Sequence, residues 1–443
     1  MVVYNNLFLL KWSNTVFNQG NNQPDRSTMS ELYQSVRTFT NELCKPLKTE
    51  DFIPQSMAET SPARWQIAHT TWLFEQFILI NYVPNYISVN PQHNFLFNSY
   101  YNTIGDRTVR HHRGLMTRPT LSEVWEYRNI IDSRIHNLIH EVDNDNFDGL
   151  CELILIGMNH EQQHQELMLT DIKHLFSLNP MHPIYKSIPD DAVNFKPDSL
   201  KFIHISKGVY DVGYTGNEFS YDNEHPRHKT FLHGYKIANR LITNAEYLEF
   251  MAKGGYENHK FWLDDGWSKV NEKHWNCPLY WFKENDEWHT FTFNGVKLLK
   301  LNEPVCHISF FEADAYARWA GYRLPTEHEW EIACKPIPID GNFVDSGLFH
   351  PTAINNQMTD NDVIGQAYGD LWEWTSSPYR PYPGYKVAEG AIGEYNGKFM
   401  NNQFVLRGGS CATSQNHIRP TYRNFFHPHT QWQFSGIRLA GES

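Results

Sequence analysis

Two histidines set four residues apart, His160 and His164, stand in the run Asn159-His160-Glu161-Gln162-Gln163-His164-Gln165-Glu166. The surrounding segment from Leu153 to Leu175 has no Pro, and no Gly beyond Gly157, so a continuous helix is predicted there. At helical pitch, residues i and i+4 lie one above the other on one face, and both imidazoles can address a single ion. Two ligands do not complete a protein-derived site. The candidate third is His69, in Arg64-Trp65-Gln66-Ile67-Ala68-His69-Thr70-Thr71-Trp72, where it falls on an apolar helical stripe. Burying an imidazole there without a partner is costly; a metal or a hydrogen bond offsets that cost. Three imidazoles with open positions beside them suit iron, zinc or copper, and ligand type alone does not choose among these.

The string also fits the H-E-x-x-H pattern of zinc peptidases. The residues beyond His164 do not. The extended pattern needs Gly and His where Leu167 and Thr170 stand, and no carboxylate lies between Asp171 and Asp190 to act as a downstream ligand. Glu161 sits about 100° around the helix from His160 and is expected to be a solvated bystander rather than a general base.

Positioning these side chains takes long helices. Ser30-Glu31-Leu32-Tyr33-Gln34-Ser35-Val36 opens with a capping-type Ser, and Arg64 to Tyr82 places Trp65, Ala68, His69, Trp72, Leu73 and Phe77 along one stripe. Leu121 to Val142 and Leu150 to Leu178 are two more helical runs. Together they predict a four-helix bundle over residues 29–190, whose core is a usual place for a metal. After Pro189 the pattern changes to short strand-like runs, Phe202-Ile203-His204-Ile205, Gly208 to Gly213, Thr230-Phe231 and Phe404 to Arg407. Two helices stand out among them, Asn244 to Met251 and Phe310 to Trp319, with Gly/Asn/Trp-rich loops elsewhere. The class is therefore α+β, with a second domain over 200–443 and a boundary in the Pro- and Asp-containing segment Ser187 to Ser199.

Composition sets the outer limits. With 443 residues there is room for two cores. A formal charge of −12 without a Lys/Arg-rich run excludes a general nucleic-acid binder. The six cysteines show no C-x-x-C spacing, which points to reduced thiols and a cytoplasmic location. No stretch approaches about 18 consecutive apolar residues, so no membrane partner is expected. Residues 1–28 read as a disordered tail, with Leu7 to Leu10 followed by Asn/Gln-rich sequence and no signal-peptide features; Met29 is an alternative start.

Behind the histidine pair lies an ordered series of strings: Cys306-His307-Ile308-Ser309, Gly321 to Glu331 (GYRLPTEHEWE), Gly369-Asp370-Leu371-Trp372-Glu373-Trp374, Arg407-Gly408-Gly409-Ser410 and Gly436-Ile437-Arg438. With His69, His160 and His164 they resemble the EgtB-type hercynine oxygenases, iron-dependent sulfoxide synthases of ergothioneine biosynthesis, from about residue 30 onward. The resemblance implies a DinB-like bundle followed by a formylglycine-generating-enzyme domain of the C-type lectin-like class. It implies Fe(II) on the three histidines, with dioxygen as co-substrate and the small molecules hercynine and cysteine as substrates. Tyr100-Tyr101 resembles the tyrosine pair of the cysteine-using branch and implies a proton or electron donor. Gln163 is implied to meet the substrate imidazole. Tyr422-Arg423-Asn424-Phe425-Phe426 matches the hercynine-contacting segment, with Asn424, Phe425 and Phe426 as contacts. Phe426 stands where the γ-glutamylcysteine-using branch has Asp, which implies free cysteine as sulfur donor. Arg110 and Arg113, three apart, are candidates for a substrate carboxylate.

Several other functions remain beside this reading. The ovothiol-type enzymes act on histidine and usually add a methyltransferase domain, and a relative uses a selenium donor. A DinB-type thiol transferase without oxygen chemistry and a non-catalytic binding module are the readings of other classes. Formylglycine generation needs a Cys pair where Thr413 and Ile418 stand, so Cys411 is expected to be a packing residue.

Overall fold

A computed structural model of the chain describes residues 24–188, 197–354, 363–387 and 391–443. Most of the expected boundary segment and residues 1–23 lie outside the described residues. Helix α1 (Arg26–Cys44) starts before the expected Met29 because Asp25, not Ser30, is the cap, accepting from Thr28 N at 2.8 Å. Met29 is already fully buried in the bundle.

Helix α2 (Ala63–Phe74) runs through a widened π turn (Glu75–Leu79) into α3 (Ile80–Tyr82). The buried Glu75 carboxylate at that turn accepts from the Tyr127 and Tyr86 hydroxyls and from Val89 N. A short helix, α4 (His93–Phe97), precedes α5 (Leu121–Glu141), which opens on a reciprocal Thr120/Glu123 cap. The 34-residue α6 (Asn144–Ser177) carries the histidine pair. Helix α2 packs against both α5 and α6, and α1 likewise packs against α5 and α6.

The expectation for Glu161 needs correction. Its side chain is fully buried, and α6 has no solvated face at that position. Arg37 and Arg128 each donate to it at 2.7 Å and Thr40 at 2.6 Å. These partners hold its carboxyl down at about 2 against the opposing effect of burial.

In the second half, β1 (Phe202–Ile205), β4 (Tyr235–Ala238) and β12 (Ala440–Glu442) form an antiparallel sheet, with hairpin β2 (Gly208–Val212)/β3 (His228–Leu232) beside it. A meander follows: β5 (Trp281–Glu284), β6 (Glu287–Thr292) and β7 (Gly295–Leu298). A last sheet has the order β10 (Asn424–Phe426), β9 (Phe404–Arg407), β8 (Trp372–Pro378), β11 (Ser435–Gly436). Helices α7 (Asn244–Ala252) and α9 (Phe310–Trp319) match the expected pair; α8 (Asp264–Lys273) and α10 (Glu327–Cys334) are additional.

The strings that carry the family resemblance are the scaffold of this half. Arg407 pairs with Glu327 and Glu331, Arg423 with Glu327, and Arg438 with Glu373, all buried. Trp330 Nε1 donates to Glu373 at 2.7 Å. These polar partners satisfy charges that burial would otherwise penalise by several kcal/mol each, roughly.

Helix α6 is the wall shared by the two halves. Its Glu166 accepts from Ser410 Oγ, Thr413 Oγ1 and Trp372 Nε1 at 2.6, 2.7 and 2.8 Å. Its Lys173 Nζ lies 2.7 Å from His307 Nε2, and Gln162 donates to Asn416. Among the described residues no helix is long and apolar enough to cross a membrane.

Candidate metal centre and its surroundings

His69 from α2 and His160 and His164 from α6 converge, each offering one ligand atom, all within 4.8 Å of one another. Their ring centroids are 4.4–4.9 Å apart. The hydrogen bonds decide which nitrogens point inward. His69 Nδ1 lies 2.6 Å from Phe97 O and donates to it, leaving Nε2 as a lone pair. His164 Nδ1 donates to Gln66 Oε1, leaving its Nε2 free in the same way. His160 Nε2 sits 3.2 Å from His69 Nε2, and its own Nδ1 has no partner. Burial holds all three imidazoles below their ordinary range, His160 at about 3, so they are neutral donors. A lone pair facing a second ring nitrogen, with an orphaned buried nitrogen behind it, is the arrangement a cation resolves. The donor set fits iron(II), as it fits other imidazole-seeking metals.

A tyrosine cluster borders the triad. Asn98, fully buried, closes the loop after α4 by accepting from Tyr101 N and donating to Tyr101 O. The Tyr100 and Tyr101 hydroxyls are 3.4 Å apart; Tyr101 packs on Trp72 and Phe77, and Tyr100 packs edge-on against Phe399. The phenol beside the histidines is another one. Tyr395, from the second half, has its ring centroid 5.8 Å from that of His160, and its hydroxyl donates to Gln163 Oε1. Gln163 Nε2 donates to Tyr422 Oη at 2.7 Å, and Tyr422 in turn meets His417 Nε2 at 3.0 Å. Burial pushes the Tyr100, Tyr101, Tyr395 and Tyr422 phenols well above their usual range, so all remain protonated near neutrality.

Arg113 is 2% exposed and so is not a surface charge. Its guanidinium lies 3.4 Å over the Trp65 ring, and Trp65 stacks on His69 at 4.6 Å. Its hydrogen-bond partners among the described residues are the hydroxyls of Ser61 and Ser99, and Nε has none. A buried cation bonded only to neutral hydroxyls is prepared for an anion. Arg110, at the start of the same 3-10 turn (Arg110–Leu115), is exposed, and its charge is felt at His69, His164 and Tyr100.

The hercynine segment divides. Phe425 stacks on Tyr379 at 4.1 Å and on Phe399, which touches Tyr100, so it joins the aromatic wall. Asn424 and Phe426 lie on the opposite face of β10 by strand alternation. Asn424 Oδ1 accepts from Phe425 N, and Phe426 packs on Trp432; neither touches the triad among the described residues.

Sequence reasoning missed Tyr395, Tyr422 as a hydrogen-bond partner, Gln66 and Asp171. Gln66 and Asp171 carried a signal: three residues before His69 and seven beyond His164, each shares the face of a candidate ligand.

The second half matches the sulfatase-modifying factor enzyme 1-like domain over residues 192–355 and 363–443. A hercynine oxygenase of Mycolicibacterium thermoresistibile is 32% identical over 304 residues, 64% of this chain and 67% of that protein. One of Mycobacterium tuberculosis is 32% identical over 312 residues, 66% of this chain and 72% of that protein. The chain belongs to the hercynine oxygenase family. It is accordingly an oxidoreductase with the α+β architecture expected. Ergothioneine biosynthesis protein 1 of Schizosaccharomyces pombe is more distant, 26% identical over 58% of this chain and 33% of that protein.

Proposed function

We propose that this chain serves ergothioneine biosynthesis by joining the sulfur of cysteine to C2 of hercynine and oxidising it to hercynylcysteine sulfoxide. The observation that carries the reading is the convergence of three neutral imidazoles, two of them hydrogen-bonded so that the free nitrogen faces inward, beside a tyrosine-bound amide and a buried guanidinium whose hydrogen bonds go to hydroxyls. Iron(II) held by His69, His160 and His164 would supply the redox chemistry by which dioxygen oxidises the sulfur. The imidazole C–H and the thiol S–H are lost, C–S and S–O bonds form, and the second oxygen atom of O2 leaves as water.

The protein's own groups position and protonate. Gln163, three residues beyond His160, is held by Tyr395 and Tyr422; its amide meets the hercynine imidazole when that ring displaces one phenol. Tyr395, with Tyr100 and Tyr101 behind it, supplies the proton. Arg113, with Arg110 at the outer edge, receives a substrate carboxylate. Phe425 lines the hercynine side as part of the Tyr379–Phe399–Tyr100 wall, while Asn424 and Phe426 face away from the triad on the other side of β10; free cysteine as donor is taken from the resemblance at Phe426.

The test is anaerobically prepared protein supplied with Fe(II), then oxygen, in three reactions: hercynine with cysteine, hercynine with γ-glutamylcysteine, and histidine with cysteine. Mass spectrometry and NMR of the products are expected to show a C2 sulfoxide from the first pair. Turnover of histidine but not hercynine contradicts the acceptor, and exclusive use of γ-glutamylcysteine contradicts the donor.

A further inference from the structure

Behind His164 lies a buried polar chain that the reaction as described does not use. Asp171 is seven residues beyond His164 on α6, two turns on and on the same face. Its Oδ2 accepts from Gln66 Nε2 at 3.0 Å and from Ser61 N at 2.9 Å. Gln66 Oε1 accepts in turn from His164 Nδ1. Asp171, Gln66 and Ser61 are 8, 4 and 6% exposed, so no water competes freely for these groups. Ser61 Oγ also accepts from Arg113 Nη1 at 2.8 Å, so the chain runs from the buried guanidinium to the metal ligand.

The two ends of a Gln amide are nearly isosteric but opposite in hydrogen-bonding sense. Asp171 Oδ2, already accepting from Ser61 N, accepts from Gln66 Nε2 as well, so the carboxyl meets the Gln66 amide through its nitrogen. The oxygen then faces His164, which must carry its proton on Nδ1 and leave Nε2 as a lone pair. The flipped amide would offer N–H to Nδ1, select the other tautomer and aim an Nε2–H bond into the metal position. We propose that Asp171 and Gln66 are positioning residues which, through this carboxylate–amide–imidazole chain, fix the metal-binding tautomer of His164. The proposal rests on the metal reading of the three histidines. It differs from the direct backbone anchor of His69 in having a polarity that a single substitution can reverse. In Asp171→Asn the new amide can donate to Gln66 Oε1 and turn the Gln66 nitrogen towards His164. In Gln66→Glu the carboxylate accepts from His164 whichever group faces it from α6, and the amide introduced by Asp171→Asn can donate to it.

The experiment measures Fe(II) alone, by anaerobic equilibrium dialysis, on the full chain and its variants, with the visible spectrum of bound Co(II) reporting the ligand set. Asp171→Asn is expected to weaken Fe(II) binding by about 10- to 100-fold while the metal-free protein keeps its melting temperature. The double variant Asp171→Asn/Gln66→Glu is expected to recover to within about threefold of wild type, a compensation that a merely structural role for Asp171 would not produce. Wild-type affinity in Asp171→Asn overturns the proposal, as does a double variant no tighter than the single one. If metal-free Asp171→Asn does not fold, Gln66→Leu decides: a loss of about tenfold or more supports the proposal and unchanged affinity overturns it. Wild-type protein that binds no Fe(II) overturns the metal reading itself, a result distinct from wild-type binding that Asp171→Asn leaves untouched.

Discussion

The three candidate ligand histidines differ in how their outer nitrogens are held: a backbone carbonyl for His69, a side-chain amide for His164, no partner for His160. The pair on α6 was legible because four-residue spacing on a helix leaves few other geometries, and His69 because an imidazole interrupts an apolar stripe. Replacing His160 with Ala removes a ligand outright, so Fe(II) affinity should fall by about 100-fold or more, more than loss of an outer partner. Metal analysis of the dialysed variant checks this. Tyr395 was not legible: it stands in a Gly/Asn-rich loop and meets Gln163 across 232 residues of sequence. Its geometry makes it the phenol to test first. Tyr395→Phe is expected to cut sulfoxide formation by about 100-fold or more, the usual worth of a positioned proton donor, and to divert flux to cysteine oxidation. Tyr101→Phe, which removes only a buried hydroxyl contact, should change the product ratio far less. Product quantification across the Phe variants of Tyr100, Tyr101 and Tyr395 separates their roles.

Long periodic helices were readable as elements; short ones were not. Helix α10 has eight residues, too few to show a period, and its Glu327, Glu329 and Glu331 are all buried, with Glu327 and Glu331 turned onto Arg407 and Glu329 onto Arg323. The meander β5–β7 was missed although its Asn285-Asp286 turn, positive in φ at both residues, is a hairpin signature. Glu161 failed for another reason: angular position on one helix does not reveal what packs against the other side. Because Arg37 and Arg128 are buried with it, Glu161→Gln should cost about 3–5 kcal/mol, measurable by urea unfolding near neutral pH. Its pH dependence has a definite sign. The folded value of about 2 lies below the usual 4.5, so this stabilisation is complete above pH 4.5 and is lost as pH falls from there towards 2. Wild type should therefore lose more stability than Glu161→Gln over that acid range.

Across the molecule, the chain places its candidate metal ligands in one half and Tyr395 in the other. The order of the halves was legible from their strings, but the docking between them was not, since it depends on single side chains reaching across. At the tyrosine end the Glu394 carboxylate accepts from Asn102 N and from the amide and hydroxyl of Thr103, tying the Tyr100–Tyr101 loop to the residue preceding Tyr395. Glu394→Ala is expected to lower turnover by about 10- to 100-fold through misplacement of the phenols, while Fe(II) affinity stays near wild type. Steady-state rates and dialysis on one preparation check both halves of that statement. Iron on the three histidines is proposed to couple dioxygen to carbon–sulfur bond formation. This coupling is tested most directly by following oxygen uptake and product together in Fe(II)-loaded protein with hercynine and cysteine. Uptake that needs both substrates, with one O2 consumed per sulfoxide formed, is the predicted result; full product formation under nitrogen would contradict it.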